Sequence, residues 1–144
     1  MTGNEVRLSA ARLGRRARAG FTLIEVMVVM ALIVVLASIG LTLYANSVTR
    51  AKESVLKEDL FRMRDAIDQY YADKGKYPST LQDLVSEKYL RSIPADPFTN
   101  SADTWREIPS EPDPNNPTAQ PGVYDVKSGS DQTALDGTKY SDWD

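Results

Sequence analysis

The chain divides by the spacing of its apolar residues. Across 26–49 every residue is uncharged, most are apolar, and none is proline. A helix of about 20 such residues spans a bilayer core, so this run is long enough to do so. Further on the pattern changes. Leu56, Leu60, Met63, Ile67 and Tyr70 recur at steps of four and three, which is one apolar stripe on a helix. Lys52, Glu53, Lys57, Glu58, Asp59, Arg62, Arg64, Asp65 and Asp68 surround the stripe and suit a solvated face. The two patterns join without a breaker, and Gly75 is placed to end the helix. A helix over 21–74 is roughly 80 Å long at 1.5 Å per residue. Its second half therefore packs on something other than lipid.

Beyond Gly75 the elements are short. Pro78-Ser79-Thr80-Leu81-Gln82 reads as a capping box, with Ser79 as the cap and Gln82 reaching back. It opens a short helix over 79–88 with Leu81, Leu84 and Val85 facing inward. Pro94 and Pro97 exclude a central strand through that segment. Residues 104–108 and 123–127 alternate and read as strands. The intervening segment carries Pro109, Pro112, Pro114, Pro117 and Pro121 and reads as a loop. The tail from Ser128 is rich in Ser, Asp, Gly and Thr. The expected fold class is α+β: a long N-terminal helix, transmembrane and then amphipathic, packed on a small antiparallel sheet.

Charge adds an orientation. Arg7, Arg12, Arg15, Arg16 and Arg18 precede the apolar run, with Glu5 as the one acid among them. Basic residues beside a membrane helix favour the cytoplasmic side, so the rest of the chain faces outward. The net charge is −3, and the chain without its arginine-rich start is more acidic still. That argues against nucleic acid as a partner, because phosphate binding needs clustered basic charge. With no cysteine and no histidine, the chain has no disulfide and lacks the common nucleophile–base pairs. No glycine-rich phosphate loop precedes a helix. The expectation is a non-enzyme. Trp105 and Trp143 read as packing residues. One ionisable group stands out: Glu25, at the start of the apolar helix. A lone carboxylate on a membrane helix is costly and therefore a functional candidate.

Gly20-Phe21-Thr22-Leu23-Ile24-Glu25-Val26, behind a basic leader and ahead of the apolar run, resembles the signature of the type IV prepilin family, which includes the pseudopilins of type II secretion. The likeness continues in Lys76-Tyr77-Pro78, Leu81, Ile93-Pro94-Ala95-Asp96-Pro97-Phe98, Val123-Tyr124-Asp125-Val126, Ser128-Gly129-Ser130-Asp131 and Asp142-Trp143. These are similar to the major pseudopilin of type II secretion. The resemblance implies a leader over 1–20, cut between Gly20 and Phe21 by prepilin peptidase, and N-methylation of Phe21. It implies a transmembrane helix over 21–45 and a periplasmic domain over 46–144, including an amphipathic helix over 50–74. It implies that Glu25 pairs with the freed amine of Phe21 on an adjacent subunit. The expected product is a homopolymeric filament in the periplasm that drives protein export. Minor pseudopilins and the assembly platform of the bacterial inner membrane are its expected partners, and the N-terminus lies in the cytoplasm.

The alternative is a type IV pilin of a surface pilus, serving adhesion, motility or DNA uptake. A membrane-anchored module that never polymerises has no use for Glu25. An ordinary secretory signal would instead be cut near Ala37-Ser38-Ile39-Gly40. In the resembled subclass a C-terminal loop often binds calcium through acidic side chains and carbonyls. Here Asp131, Asp136 and Ser128 are the candidate ligands, with Thr138 and Lys139 where the family more often has adjacent acids. The other reading of that tail is a solvated turn closed by its own Asp and Ser side chains.

Overall fold

The computed structural model describes residues 20–144, so the leader arginines and Glu5 lie outside the described residues. The chain forms two compact units, with the boundary between Ile39 and Gly40. Helix α1 runs Leu23–Lys74. It begins at Leu23 rather than Phe21 because Thr22 caps it. The Thr22 hydroxyl accepts the Glu25 amide at 3.2 Å, and its carbonyl accepts the Val26 amide at 3.1 Å. In the first unit α1 is helical throughout and its side chains are exposed. The Ser38 hydroxyl donates to the Val34 carbonyl at 2.7 Å, which satisfies a polar group inside an apolar helix.

In the second unit α1 buries Leu56, Asp59, Leu60, Met63, Ala66, Ile67 and Tyr70. The apolar stripe is as the periodicity predicts. Asp59 is a correction, since it does not stand on the solvated face. Its angular position on the helix falls between Leu56, Leu60 and Met63, and helical geometry places it inward whatever its charge. The helix ends at Gly75, whose φ of +67° is open to glycine at little cost. The Gly75 amide closes the last turn on the Tyr71 carbonyl at 2.8 Å.

Helix α2 is Leu81–Ser86, shorter than the expected 79–88. Its cap is Thr80 rather than Ser79, and the residue reaching back is Asp83 rather than Gln82. One Asp83 carboxylate oxygen accepts the amides of Ser79 at 2.9 Å and Thr80 at 3.2 Å. Asp83 stands three positions after the true cap, where a side chain can reach the orphan N–H groups.

Strands β1 (Arg106–Pro109) and β2 (Val123–Lys127) pair antiparallel, with Arg106 opposite Lys127 and an irregularity between Ile108 and Pro109. β1 starts two residues later than the alternation suggested. Thr104 is drawn into a turn, where its hydroxyl meets the Ser101 carbonyl at 3.3 Å. Trp105 turns into the core and donates its ring N–H to the Pro94 carbonyl at 2.7 Å. The α1 stripe packs with Leu81, Leu84, Trp105, Val123, Val126 and Tyr140 in one apolar cluster. A single 3₁₀ turn at Tyr140–Asp142 closes the chain. The expected α+β arrangement of a long helix on a small antiparallel sheet is what the structure shows.

Candidate functional site

Gly20, Phe21 and Thr22 form an exposed non-helical stretch immediately before α1. Phe21 is 78% exposed, and a side chain added at Gly20 would meet nothing. Among the described residues nothing covers the bond between them. Glu25 lies in the first helical turn, where the helix dipole favours a carboxylate. Its amide is capped by Thr22, while its side chain is exposed and accepts no hydrogen bond among the described residues. Along the same helix Ile24, Met27, Leu32, Val34, Leu36, Leu41 and Tyr44 are all more than half exposed. This one described helix is long and apolar enough to cross a membrane, and its most apolar window is wholly uncovered by the protein.

The second polar cluster ties the tail to α1. Glu53 receives the Leu135 amide at 2.9 Å and the Tyr140 hydroxyl at 3.0 Å on one carboxylate oxygen. Burial, reinforced by that hydrogen bond, pushes the Tyr140 phenol up to about 12. Phe98 and Trp143 pack on the Tyr140 ring. Trp143 donates its ring N–H to the Thr138 hydroxyl at 2.8 Å and lies under the Lys57 ammonium, 4.9 Å from the ring centre. Arg64 holds three partners: Asp125 at 2.7 Å and the carbonyls of Val126 and Trp143 at 3.0 Å each.

The side chains expected to bind calcium hold three different partners. Asp131 pairs with Arg106 at 3.0 Å and is mostly exposed. Asp136 accepts the Thr138 amide at 2.9 Å and hydroxyl at 2.6 Å, which hold its carboxyl below the ordinary range. Ser128 is fully buried and donates to Asp96. Among the described residues no group of three or more acidic, histidine or cysteine side chains converges.

Ser128 leads instead to a feature the sequence reading missed. Asp96 is fully buried, and its carboxylate accepts the Ser128 hydroxyl and, at 2.9 Å, the Phe98 amide. Asp59 is 8% exposed. Burial lifts its carboxyl above the ordinary range; Arg62 opposes that, and the carboxylates of Glu58 and Asp96 add to it. Asp96 was visible only as part of a proline-flanked turn, and nothing in the local sequence links it to position 59.

Residues 15–41 match the family model described as the prokaryotic N-terminal methylation motif. Type II secretion system core protein G of Pseudomonas aeruginosa is 33% identical over 102 residues, which cover 60% of this chain and 72% of that protein. The protein of the same name in Escherichia coli K12 is 33% identical over 97 residues, 56% of this chain and 67% of its own length. Fimbrial protein EcpC of Eikenella corrodens is 34% identical over 84 residues, 55% of each chain. No solved structure matches.

Proposed function

The chain belongs to the family of type II secretion system core protein G and is a pseudopilin subunit, and from that premise we propose how its parts serve processing and assembly. It is a membrane-anchored component that is processed and self-assembles within that system. A pseudopilin is a structural subunit, and no catalytic step enters the proposal. The surface-pilus alternative is not favoured: the fimbrial relative shares a shorter alignment than the two secretion core proteins.

In this reading prepilin peptidase cuts between Gly20 and Phe21, and the new amine of Phe21 is methylated. Residues 21–45 anchor the chain in the inner membrane, and 46–144 stand in the periplasm. Minor pseudopilins and the inner-membrane assembly platform are the further partners. The observation that carries the reading is the uncovered apolar helix preceded by the exposed, non-helical Gly20–Phe21 stretch. Exposed apolar surface of that extent needs lipid or neighbouring copies to cover it.

Cleavage also changes the electrostatics. In the uncut chain the Phe21 nitrogen is a neutral amide and carries no charge for Glu25 to pair with. Cutting converts that nitrogen to an ammonium. Within one chain the dipole of the first turn repels it. On an adjacent subunit it meets Glu25, and in low dielectric such a pair selects register more than it adds net stability. Mass spectrometry of the membrane-extracted protein tests the premise. The expected N-terminus is methylated Phe21. A mature chain beginning near Gly40 would show an ordinary secretory signal and end the proposal.

A further inference from the structure

We propose that the proline-rich loop over 112–121 of one copy docks in a tyrosine-lined recess on a second copy. The proposal rests on the self-assembly of the chain. Three tyrosines stand together where the end of α1 meets the start of β2. The Tyr71 and Tyr77 rings are stacked with centres 4.5 Å apart, and Tyr124 meets Tyr77 edge-on at 5.6 Å. Tyr71 lies off the buried stripe and is 45% exposed; Tyr124 is 56% exposed. Tyr77 and Tyr124, with Pro109, Ser110 and Glu111, line a recess of about 550 Å³. Backbone bonds hold its walls: the Val123 amide donates to the Pro78 carbonyl, and the Ser110 amide to the Gly122 carbonyl, both at 2.7 Å. The recess is therefore formed before anything enters it, which lowers the entropic cost of binding.

The loop supplies the matching surface. It is exposed along its whole length, yet two successive turns close it. The Asn116 amide donates to the Asp113 carbonyl and the Ala119 amide to the Asn116 carbonyl, each at 3.0 Å. Pro114 and Pro117 take the second position of these turns, which their fixed φ suits. Such a loop loses little freedom on docking. Aromatic-lined grooves are recurring seats for proline, and tyrosine is enriched among the residues that carry binding energy. Charge agrees with the pairing. The loop carries Asp113 and no base, while Lys76, next to Tyr77, is exposed and takes part in no ion pair among the described residues. The tip residues Pro114 and Pro117 do not line the recess of their own copy. A contact between two different patches leaves one recess and one loop free on every pair. It therefore propagates along a filament, where a two-fold contact would stop at a dimer. Propagation is what a self-assembling subunit requires, and it selects a second copy as the occupant.

The test is the yield of filaments pelleted from cells that carry the secretion system and express the full chain. One variant is Tyr124→Thr, which keeps a strand-favouring residue on β2. The second joins Pro114→Ser and Pro117→Ser, and the third combines all three changes. Each should lower the yield by about threefold or more. The combination should fall no further than the weaker of the first two, because both ends of one contact are then gone. All should melt close to the parent in detergent, since the three positions are exposed. Cross-linking gives a second readout. The chain has no cysteine, so one copy with Tyr71→Cys and another with Asn115→Cys are co-expressed and treated with a short bismaleimide. A mixed dimer of the two copies is expected. Parental yield in either of the first two variants overturns the docking, and so does a combined loss equal to the product of the separate losses. Absence of the mixed dimer, or linkage of either cysteine to a different protein in its place, overturns the second copy as occupant. A parent that forms no filaments would end the self-assembly reading itself, whereas processing is read separately at Phe21.

Discussion

The Tyr140 hydroxyl donates to the Glu53 carboxylate at 3.0 Å across 87 positions of sequence. The same oxygen holds the Leu135 amide, so one side chain of α1 pins both ends of the closing loop. Tyr140→Phe removes the hydroxyl from a fully packed ring and should cost about 2 kcal/mol, the range for a hydrogen bond to a charged group. Urea denaturation of the two proteins measures it.

The same pair sets an alkaline limit. The Tyr140 phenol sits near 12 in the fold against an ordinary value of 10. The folded state therefore favours the neutral phenol. Its contribution is complete below pH 10 and is lost as pH rises from 10 to 12. Tyr89, hydrogen-bonded to Asp73 at 2.7 Å, is raised to about 12 and loses stability over the same window. Tyr140→Phe should thus reduce the alkaline loss without abolishing it. An unchanged pH profile in the variant would mean that Tyr140 does not titrate with unfolding.

Arg64 is the second clamp on the tail. Its side chain and that of Asp125 are about three-quarters buried. Arg64→Ala should cost about 3 kcal/mol, because it strands a partly buried Asp125 and two carbonyls. Arg64→Lys should recover little of this, since an ammonium cannot span the three acceptors that the guanidinium fork reaches. Thermal melts compare the three proteins.

Gly129 has no room for a side chain. A methyl group there would overlap the Thr104 carbonyl, which is backbone and cannot swing aside. Gly129→Ala should destabilise the fold by more than about 2 kcal/mol, as overpacking does. Gly137→Ala meets no atoms and is strained only by its φ of +88°; its cost should be about 1 kcal/mol. Equal effects in denaturation would show that the close approach at Gly129 relaxes.

Glu25→Ala should leave membrane insertion intact, because the helix becomes more apolar. It should abolish most filament formation, because the partner proposed for the Phe21 amine is gone. Pelleting of filaments from cells expressing each protein reads the difference, and wild-type yields in the variant would remove Glu25 from assembly.

Local rules, applied to the sequence, determined much of this protein. The apolar run, the stripe from Leu56 to Tyr70, the stop at Gly75 and the strand Val123–Lys127 follow from periodicity and from the φ that glycine tolerates. The motif around Gly20, Phe21 and Glu25 was legible for the same reason: its parts lie within a few residues of one another. The Thr22 cap was not read from the sequence, which placed the helix start at Phe21. The partners of polar side chains were decided only by the tertiary structure. Glu53, Asp59 and Arg64 all looked like solvated charges on α1. The roles of Glu53 and Arg64 depend on Tyr140 and Asp125, which are distant in sequence and brought in by packing of the apolar stripe, while Asp59 is buried by its angular position on the helix. The start of β1 moved for the same reason, as burying Trp105 against the core outweighed the alternation around it. Charge type predicts solvation only on average. Angular position on a helix, and what the rest of the chain lays against it, decide which carboxylates are buried.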